Sequence, residues 1–503
     1  MGTTTTDAPT LPDGLVAVVK RDCATCELVG PVLGDLQRRA GVVVYSQDDP
    51  TFPEAAADVV DDTDLAVSWH HDIETVPTLI RVEGGAEVDR TVGWHRDAWQ
   101  ALTGVDGLGP DLPDQRPGCG SLSVDPTLAD DLAVRFGGST LRSRRVELAQ
   151  LEDEMEAAFD RGWTDGLPVV PPTEARVLRM LEGTDRAPDE TVAVIPPDLV
   201  EATVEQIAIN AVMAGCRPEY FDVVLAAIEG ACSVEFNMHG LLATTFFSGP
   251  ILVVNGPVAR RIGMNAGGNV FGQGNRANMT IGRALQLVVR NLGGGRPGEI
   301  DMACQGSPGK LSFCFTETPD GLLGTLATEA GFDAGTDTVT LFAGQGPTPV
   351  VDQLSRTPES LVRSFAAVLR NVHHPKLVIG MDAMLVVSPE HAAIFAEAGW
   401  DRARLRAELE PLLMIDGDAL ARDPDGAGDG IAEGVPAALA EGNTLPKFRP
   451  GGLLIASAGG PAGLFSSVLT GWVGGAKGSE PVTIEIARPA SMHDAGAHEG
   501  TTR

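Results

Sequence analysis

The sequence predicts an α/β protein with a small N-terminal domain, a connecting segment and a large C-terminal domain. Three observations lead to this prediction. The chain has 503 residues, more than one ordinary domain contains. Near its start, a Cys-x-x-Cys motif stands between a short apolar run and a stretch with helical spacing. Further along, apolar strand candidates alternate with helix candidates, which is typical of α/β architecture.

The predicted boundaries follow changes in composition. Residues 1–104 are expected to form the small domain, and residues 161–490 the large α/β domain of mixed sheet and helices. Between them, residues 105–160 begin with a stretch dense in Gly, Pro and Asp and are interpreted as a linker followed by a connecting helix. Residues 491–503 are expected to be a disordered tail.

Composition excludes several classes of partner. The formal charge is −32, with 69 Asp and Glu against 37 Lys and Arg. Such a surface repels phosphate backbones and anionic lipid, so neither nucleic acid nor membrane is expected as a partner. The start of the chain is polar and lacks the pattern of a signal peptide, and no uncharged apolar run reaches the roughly 18 residues of a membrane span. The sequence therefore predicts a cytoplasmic protein.

The sequence of the small domain predicts a series of strands and helices. Residues 14–20 form an apolar run typical of a buried strand. Residues 27–40 have helical spacing, and residues 41–46 form a second strand. A hairpin follows around Gly84-Gly85, and residues 97–102 close the domain as a helix.

The motif Cys23-Ala24-Thr25-Cys26 lies directly before the first predicted helix. A helix N-terminus carries partial positive charge, which stabilises a thiolate, so Cys23 is predicted to attack and Cys26 to resolve. The neighbouring carboxylate of Asp22 acts in the opposite direction and raises the thiol pKa. The alternative is a structural zinc pair, which needs a second ligand pair, for which only His70 and His71 are available nearby.

The order strand, Cys-x-x-Cys, helix, strand, Val76-Pro77-Thr78, hairpin and helix over residues 12–104 resembles the thioredoxin-like proteins. The resemblance implies that Pro77 is a cis proline lying against the dithiol. It also implies that an external dithiol reductant or a thioredoxin reductase supplies the electrons. Asp22 stands where these proteins have an aromatic residue, which leaves the reduction potential and the choice of partner open.

Two further cysteines are candidates for a reactive thiol beyond the small domain. Cys119 lies between two glycines, which leave its sulfur uncovered, and the alternative is an incidental linker cysteine. Cys216 lies between two predicted helices beside Arg217, which favours a thiolate, and the alternative is a buried packing residue. The remaining cysteines are expected to pack in the core. An odd total of seven argues against a disulfide scaffold.

A run rich in Asn and Gly offers candidate substrate ligands. Amide groups and arginines near a helix start can hold a carboxylate or a phosphate, whereas the alternative is a set of tight structural turns. A dinucleotide motif is not completed, because the third glycine and the acidic residue are missing. No metal or bound cofactor is expected. The candidate residues are Asn265, Asn269, Asn275, Arg276, Asn278 and Arg283.

Residues 115–486 resemble a bacterial family with selenocysteine-containing members, named for a Sec-Gly-Ser-Cys motif. The resemblance is carried by segments 163–173, 215–220 and 458–477 together with the Asn/Gly-rich run. It implies selenol-type chemistry with cysteine in place of selenium, and the thioredoxin-like domain as its reductant. Here Cys119-Gly120-Ser121 is followed by Leu122, so the second thiol of that motif is missing.

The predicted function is a thiol-dependent oxidoreductase acting on a small polar molecule. In this hypothesis Cys216 or Cys119 reacts with the substrate and the Cys23/Cys26 dithiol returns it to the thiol. One alternative is a cysteine-dependent lyase or hydrolase that the fused module keeps reduced. Another is a redox-sensing binding protein. The expected partners are the small-molecule substrate and a reductase, and a homo-oligomer is left open.

Overall fold

The structure is a computed structural model that describes residues 8–138, 141–149, 152–319, 321–420, 440–472 and 478–487. It divides into two compact units, Met1–Thr140 and Leu141–Arg503, named here unit 1 and unit 2. Helices and mixed parallel and antiparallel sheets occur in both, so the predicted α/β class is confirmed. The predicted tail at 491–503 lies outside the described residues.

Unit 1 is built on a five-stranded sheet in the order β3-β2-β1-β5-β6. β1, β2 and β3 are parallel, and the β5–β6 hairpin adds to β1 in antiparallel register. The described elements are β1 (Gly14–Val19), α1 (Ala24–Ala40), β2 (Val43–Ser46), β3 (Val59–Asp61), α2 (Ala66–His70), β4 (Thr75–Val76), β5 (Thr78–Glu83), β6 (Ala86–Val92), β7 (Trp94–His95), α3 (Arg96–Thr103), β8 (Gln115–Arg116), β9 (Cys119–Gly120) and α4 (Ala129–Phe136).

The core of unit 1 lies between the sheet and its helices. β1 is apolar along its whole length because it is the central strand, and five of its six residues are buried. α1 follows β1 after a short loop and packs Val29, Leu33 and Leu36 into this core. It ends at Gly41, whose φ of 68° suits a residue without a side chain. The loop between β1 and α1 therefore lies at the end of a buried strand.

The Gly- and Pro-rich stretch after residue 104 differs from the predicted linker. β8 pairs with β7, and β9 pairs with β4, so this stretch belongs to unit 1. The buried amide of Gln47 donates to Ser121 Oγ at 2.6 Å, and its oxygen accepts from Leu122 N at 3.1 Å. The division of the chain falls between Thr140 and Leu141 rather than after residue 104, because Gly and Pro mark irregular backbone here and not a lack of contacts.

Unit 2 is built on a seven-stranded mixed sheet in the order β13-β12-β14-β19-β15-β18, with β20 pairing on β14. Its described strands are β10 (Thr191–Ile195), β11 (Val200–Thr203), β12 (Gly249–Asn255), β13 (Cys314–Thr316), β14 (Thr338–Val351), β15 (Ala383–Val387), β16 (Met414–Asp416), β17 (Thr444–Pro446), β18 (Leu453–Ser457), β19 (Phe465–Gly471) and β20 (Val482–Glu485).

Helices cover this sheet in two groups. α7, α8 and α11 share one apolar core with β12 and β14, and α13 to α15 share another with β15, β18 and β19. The described helices are α5 (Glu154–Asp160), α6 (Glu174–Leu181), α7 (Val204–Ala214), α8 (Phe221–Ala231), α9 (Met238–Ala243), α10 (Pro257–Arg261), α11 (Arg276–Asn291), α12 (Leu326–Glu329), α13 (Pro358–Leu369), α14 (Pro389–Glu397) and α15 (Arg402–Leu409). No helix in the described ranges has both the length and the apolar character needed to cross a bilayer.

Candidate functional site

Cys23 occupies the N-cap position of α1, at the end of the loop that connects β1 to this helix. Its sulfur accepts a hydrogen bond from the backbone N–H of Cys26 at 3.2 Å. The first N–H groups of a helix have no partner inside the helix, so they are free to bind an anion held at the cap. The Cys23 sulfur also lies 3.5 Å from the carbonyl oxygen of Val76. The Val76–Pro77 peptide bond is cis.

The thiols of this site differ strongly in acidity. The Cys26 thiol, acting as a hydrogen-bond donor, is the largest influence on Cys23, and the pKa of Cys23 falls to about 5. The Cys119 thiol and the backbone N–H groups of Cys26 and Thr25 lower it further, while burial opposes them. The Asp22 carboxylate was expected to raise the pKa of Cys23, but the net shift of that pKa is downward. At neutral pH Cys23 is therefore a thiolate.

Cys26 and Cys119 behave in the opposite way. Burial is the main reason why the pKa of the Cys26 thiol is raised, and its hydrogen bond to Cys23 raises it further. Burial and the same interaction with Cys23 also raise the pKa of Cys119. One thiolate thus sits between two thiols that keep their protons, which is the arrangement that stabilises a single negative charge.

The third thiol of the site comes from the stretch that the sequence analysis placed in a linker. Cys119 lies in β9 directly opposite Val76 in an antiparallel pair. The Thr25 hydroxyl, within the Cys-x-x-Cys motif itself, donates to the carbonyl oxygen of Pro117 at 2.7 Å. Cys119 is partly exposed, whereas Cys23 is only 4% exposed and Cys26 is fully buried. The structure therefore brings Cys23, Cys26 and Cys119 together.

Gly118 explains why this stretch approaches so closely. A Cβ on Gly118 would lie 2.4 Å from the Thr75 side chain and 2.7 Å from the carbonyl oxygen of Val76. These distances are shorter than any normal contact, so a larger residue would push β9 away from β4. Gly120, two residues further on, has no such constraint, because nothing lies within 4 Å of its Cβ position. The absence of a side chain at Gly118 therefore permits the close approach of β9 to β4.

The described residues near Cys23 and Cys26 do not provide the second ligand pair that a structural zinc site needs. The ring nitrogens of His70 and His71 bond to the carbonyl oxygens of Ala66 and Pro9, each at 2.8 Å. Across the described residues, no three His, Cys, Asp or Glu side chains are grouped so that they could hold a metal ion.

Cys216 was expected to be a reactive thiolate, but the structure places it in a buried position. It is buried between α7 and α8, and its thiol donates to the carbonyl oxygen of Thr280 at 3.4 Å. Burial raises the pKa of Cys216 to about 12, although Thr280, Arg276 and Arg283 act in the opposite direction. The prediction that Arg217 favours a thiolate here is contradicted, because the sulfur is buried and Arg217 is exposed.

The side chains of the Asn/Gly-rich run bond within the chain. Asn275 caps α11 by accepting from the N–H of Asn278 at 3.0 Å, and the buried Asn278 amide donates to the Asn265 carbonyl oxygen at 2.9 Å. Arg276 donates to the carbonyl oxygen of Gly215 at 2.8 Å. Asn269 donates to the carbonyl oxygen of Gln273 at 2.8 Å. These contacts hold turns in place.

Two of these candidates have a further feature. Arg283 makes a bidentate ion pair with Asp165, with nitrogen–oxygen distances of 2.7 and 2.8 Å. Both side chains are largely buried, so the guanidinium is committed to this carboxylate. Asn269 also lines a cavity of about 230 Å³ together with Phe271, Ala458 and Phe465. Asn269 is thus a predicted substrate ligand that lies at a cavity.

Unit 2 contains a group of buried polar atoms that the sequence analysis did not identify. Each has no hydrogen-bond partner among the described residues, and burying a polar atom without a partner is costly. We refer to these five residues as the polar cluster. They are Ser248 Oγ, Gln286 Nε2, Arg290 Nε, Arg296 Nε and Ser307 Oγ.

A backbone contact holds the chain next to Arg296 against the end of α11, the helix that contains Arg290. Arg290 lies in the last turn of α11, and the N–H of Gly295 donates to the carbonyl oxygen of Val289 at 3.1 Å. This bond fixes the chain just before Arg296 against the end of the helix. In the described part of the chain, neither arginine has an ion pair, although acids outnumber bases almost two to one, with 69 against 37.

Gln286 and Ser248 lie near the side of α11 that carries Arg290. Gln286 is one turn before Arg290, and Gly249, next to Ser248, lies against the side chains of Gln286 and Lys310. The ammonium group of Lys310 pairs with Asp301 at 2.5 Å. The five atoms of the polar cluster are therefore hydrogen-bond donors, and the Asp301 carboxylate is already paired with Lys310.

No known family model, no curated protein and no solved structure matches this chain.

Proposed function

We propose that unit 1 is a thioredoxin-like thiol-disulfide oxidoreductase module in which Cys23 attacks and Cys26 resolves. One observation carries this proposal: the Cys23 sulfur caps α1, accepts the Cys26 N–H at 3.2 Å and has its pKa lowered to about 5. A thiolate is the nucleophile in disulfide exchange, so this cysteine is prepared for attack at neutral pH.

The proposed step is balanced as a two-electron exchange. The Cys23 thiolate attacks one sulfur of a substrate disulfide, which forms a mixed disulfide and releases the other sulfur as a thiol. Cys26 then attacks the Cys23 sulfur, which releases the reduced substrate and leaves a Cys23–Cys26 disulfide. An external dithiol reduces that disulfide and completes the cycle. The cytoplasm, where thiols are kept reduced, is the proposed compartment.

The high pKa of Cys26 fits its role as the resolving thiol. Part of the increase comes from the hydrogen bond with the Cys23 thiolate. When Cys23 becomes part of a mixed disulfide, its negative charge disappears and this contribution is lost. Cys26 then loses its proton more readily, at the stage of the cycle at which it must attack.

Trapping the mixed disulfide tests this proposal. We expect Cys26→Ser to accumulate an adduct between Cys23 and a peptide disulfide, and Cys23→Ser to form none. Both variants should also carry Cys119→Ser, so that the third thiol cannot substitute for the missing one. Adduct formation at Cys26 rather than Cys23 would reverse the two roles, and no adduct in either variant would refute the proposal.

A second candidate function concerns unit 2, for which we propose binding of an anionic small molecule at the polar cluster. All five atoms can donate hydrogen bonds, and two belong to guanidinium groups without acidic partners in the described chain. A carboxylate or phosphate is the group that such donors recognise. This assigns the small polar substrate of the chain to residues other than the six ligands predicted from the sequence.

Thermal unfolding with added anions tests the unit 2 proposal. Inorganic phosphate or citrate should raise the melting temperature of the wild-type protein more than chloride at equal ionic strength. A double variant, Arg290→Met with Arg296→Met, should lose this difference. Arg217→Met is the matched control because it removes an exposed arginine. An equal response in the wild type and the double variant would refute anion binding at the polar cluster.

A further inference from the structure

The position of β9 is that of a peptide bound to the dithiol. β4 ends at Val76, whose carbonyl oxygen lies 3.5 Å from the Cys23 sulfur. An extended peptide that pairs with β4 in antiparallel fashion places one of its side chains beside this sulfur. β9 pairs with β4 in this way, with Thr75 opposite Gly120 and Val76 opposite Cys119. Strand addition at an exposed edge is a common way for proteins to bind peptides.

Specific contacts hold the stretch on both sides of Cys119. On one side, Thr25 donates to Pro117 O at 2.7 Å. On the other side, the backbone N–H of Ser121 donates to Glu74 O at 3.0 Å, and the Ser123 hydroxyl donates to Ile73 O at 2.6 Å. Because these bonds flank the cysteine, its position beside Cys23 is fixed by the fold.

The three thiols differ in solvent exposure, and this difference determines which of them a solute reaches first. Cys23 is 4% exposed and Cys26 is fully buried, whereas Cys119 is partly exposed. A small disulfide or oxidant approaching from solvent therefore meets Cys119 first. The Cys23 thiolate lies behind it and is coupled to it strongly enough that Cys119 helps to lower the pKa of Cys23.

We infer that Cys119 is an internal substrate of the dithiol: a partly exposed thiol that reacts with external disulfides and is returned to the thiol by Cys23 and Cys26. This inference rests on the proposed function of unit 1 and names the substrate of that site. In this inference Cys119 is held in β9 against β4, and it is not a mobile cysteine in a linker.

The exchange is balanced in sulfur and electrons. The Cys119 sulfur attacks an external disulfide and gives up its thiol proton; it forms a mixed disulfide with one half, and the other half takes up a proton and leaves as a thiol. The Cys23 thiolate then attacks the Cys119 sulfur, which releases the second half as a thiol and forms a Cys23–Cys119 disulfide. Cys26 attacks the Cys23 sulfur and frees Cys119 as a thiol. An external dithiol reduces the resulting Cys23–Cys26 disulfide.

A consequence for external peptides follows from the same geometry. While β9 is paired with β4, the edge beside Cys23 is occupied, so a second peptide cannot pair there. The docked stretch therefore restricts Cys23 to Cys119 and slows its reaction with free peptide disulfides. Loosening the stretch should reverse this preference.

The test uses the full-length Cys26→Ala protein treated with oxidised glutathione, followed by peptide mapping. We expect Cys23 joined to Cys119, because the resolving thiol is absent. The control is Cys26→Ala with Cys304→Ser, which removes an exposed cysteine of unit 2 and should give the same product. A Cys23–glutathione adduct with Cys119 left free would overturn the inference.

A pair of glycine variants tests the docking itself. Gly118→Ala places a Cβ 2.4 Å from the Thr75 side chain, whereas Gly120→Ala meets nothing within 4 Å. We expect Gly118→Ala to form the Cys23–Cys119 disulfide at least about tenfold more slowly and to reduce a free peptide disulfide faster, while Gly120→Ala behaves as wild type. Equal behaviour of the two variants would overturn the inference.

One further variant separates this inference from the proposed function. If Cys119→Ser still reduces a peptide disulfide through Cys23 and Cys26, but the Cys23–Cys119 disulfide never forms, the inference fails and the proposed function stands. If Cys119→Ser and Gly118→Ala both leave Cys23 without any exchange activity, both fail.

Discussion

Two cysteines with similar local sequence have opposite acidity in the two units. Cys23 and Cys216 both lie shortly before a helix, and Cys216 even has an arginine beside it. Yet the pKa of Cys23 is lowered to about 5, and the pKa of Cys216 is raised to about 12. The Cys23 sulfur accepts hydrogen bonds from the Cys26 N–H and S–H groups, which lower its pKa, whereas burial without comparable donors raises the pKa of Cys216. The balance between burial and hydrogen-bond donors therefore sets the acidity of each thiol, and proximity of an arginine in sequence does not.

The backbone explains why the two sulfurs meet different groups. Cys23 is itself the N-cap of α1, so the free N–H groups of the first turn point at its side chain. Cys216 follows the end of α7, where Gly215 closes the helix with a φ of 90°, and its own N–H bonds back to Ala211 O. A cysteine at a helix end therefore receives no donors to its sulfur from that helix.

The largest expected effect separates these two cysteines by activity. Cys23→Ser should reduce dithiol–disulfide exchange to the uncatalysed background, since the attacking thiolate is gone. Cys216→Ser should keep the wild-type exchange rate, because a buried thiol with a raised pKa takes no part. Reduction of a peptide disulfide by a chemical dithiol measures both. A loss of exchange in Cys216→Ser would remove the distinction on which the comparison rests.

A second prediction ranks the donors that make Cys23 acidic. Cys26 is the largest influence on the pKa of Cys23 and the Cys119 thiol is a smaller one. We therefore expect Cys26→Ala to raise the pKa of Cys23 more than Cys119→Ala does. The ultraviolet absorbance of the thiolate, followed against pH, reports both values. Equal shifts, or a larger shift for Cys119→Ala, would contradict the ranking.

The third prediction concerns stability against pH in the reduced protein. The pKa of Cys23 is lower in the folded state than the ordinary value of 9.0, so the folded state favours the thiolate. Its contribution is complete above pH 9 and is lost as the pH falls through about 5, at up to about 1.4 kcal/mol per pH unit. The difference in unfolding free energy between wild type and Cys23→Ala should follow this direction in denaturant titrations. A constant difference across this range would contradict it.

The smallest effect on activity is expected from the ion pair in unit 2. Arg283→Ala leaves the largely buried Asp165 carboxylate without its partner, so unfolding should become easier by about 3 kcal/mol. Disulfide exchange should be unchanged. Arg217→Ala, which removes an exposed arginine, serves as the matched control and should change neither property. A loss of exchange without a loss of stability would assign Arg283 a role in the reaction instead.

Much of unit 1 could be predicted because its signals are local. The apolar run of β1, the Cys-x-x-Cys motif before α1 and the glycine turn of the β5–β6 hairpin each depend on a few consecutive residues. The same holds for the capping role of Cys23, which follows from its place before a helix. Such features can be predicted from short-range sequence alone.

The contacts of Cys119 and Cys216 could not be predicted in the same way. The pairing of Cys119 with Val76 joins residues far apart in sequence, and the Pro- and Gly-rich stretch between β7 and β9 has no periodicity that would indicate it. The carbonyl oxygen that faces Cys216 likewise comes from a distant residue, Thr280. The Asn/Gly-rich run was open to two interpretations, because amides that bind ligands and amides that hold turns have the same composition.

A pH titration of the reduced protein tests the central claim most directly, namely that Cys23 is a thiolate at neutral pH. Thiolate absorbance should show a step with a midpoint near 5 in the wild type. This step should be missing in Cys23→Ala and present in Cys216→Ser. A wild-type midpoint near the ordinary thiol value of 9.0, or a step near 5 that survives in Cys23→Ala, would contradict the account.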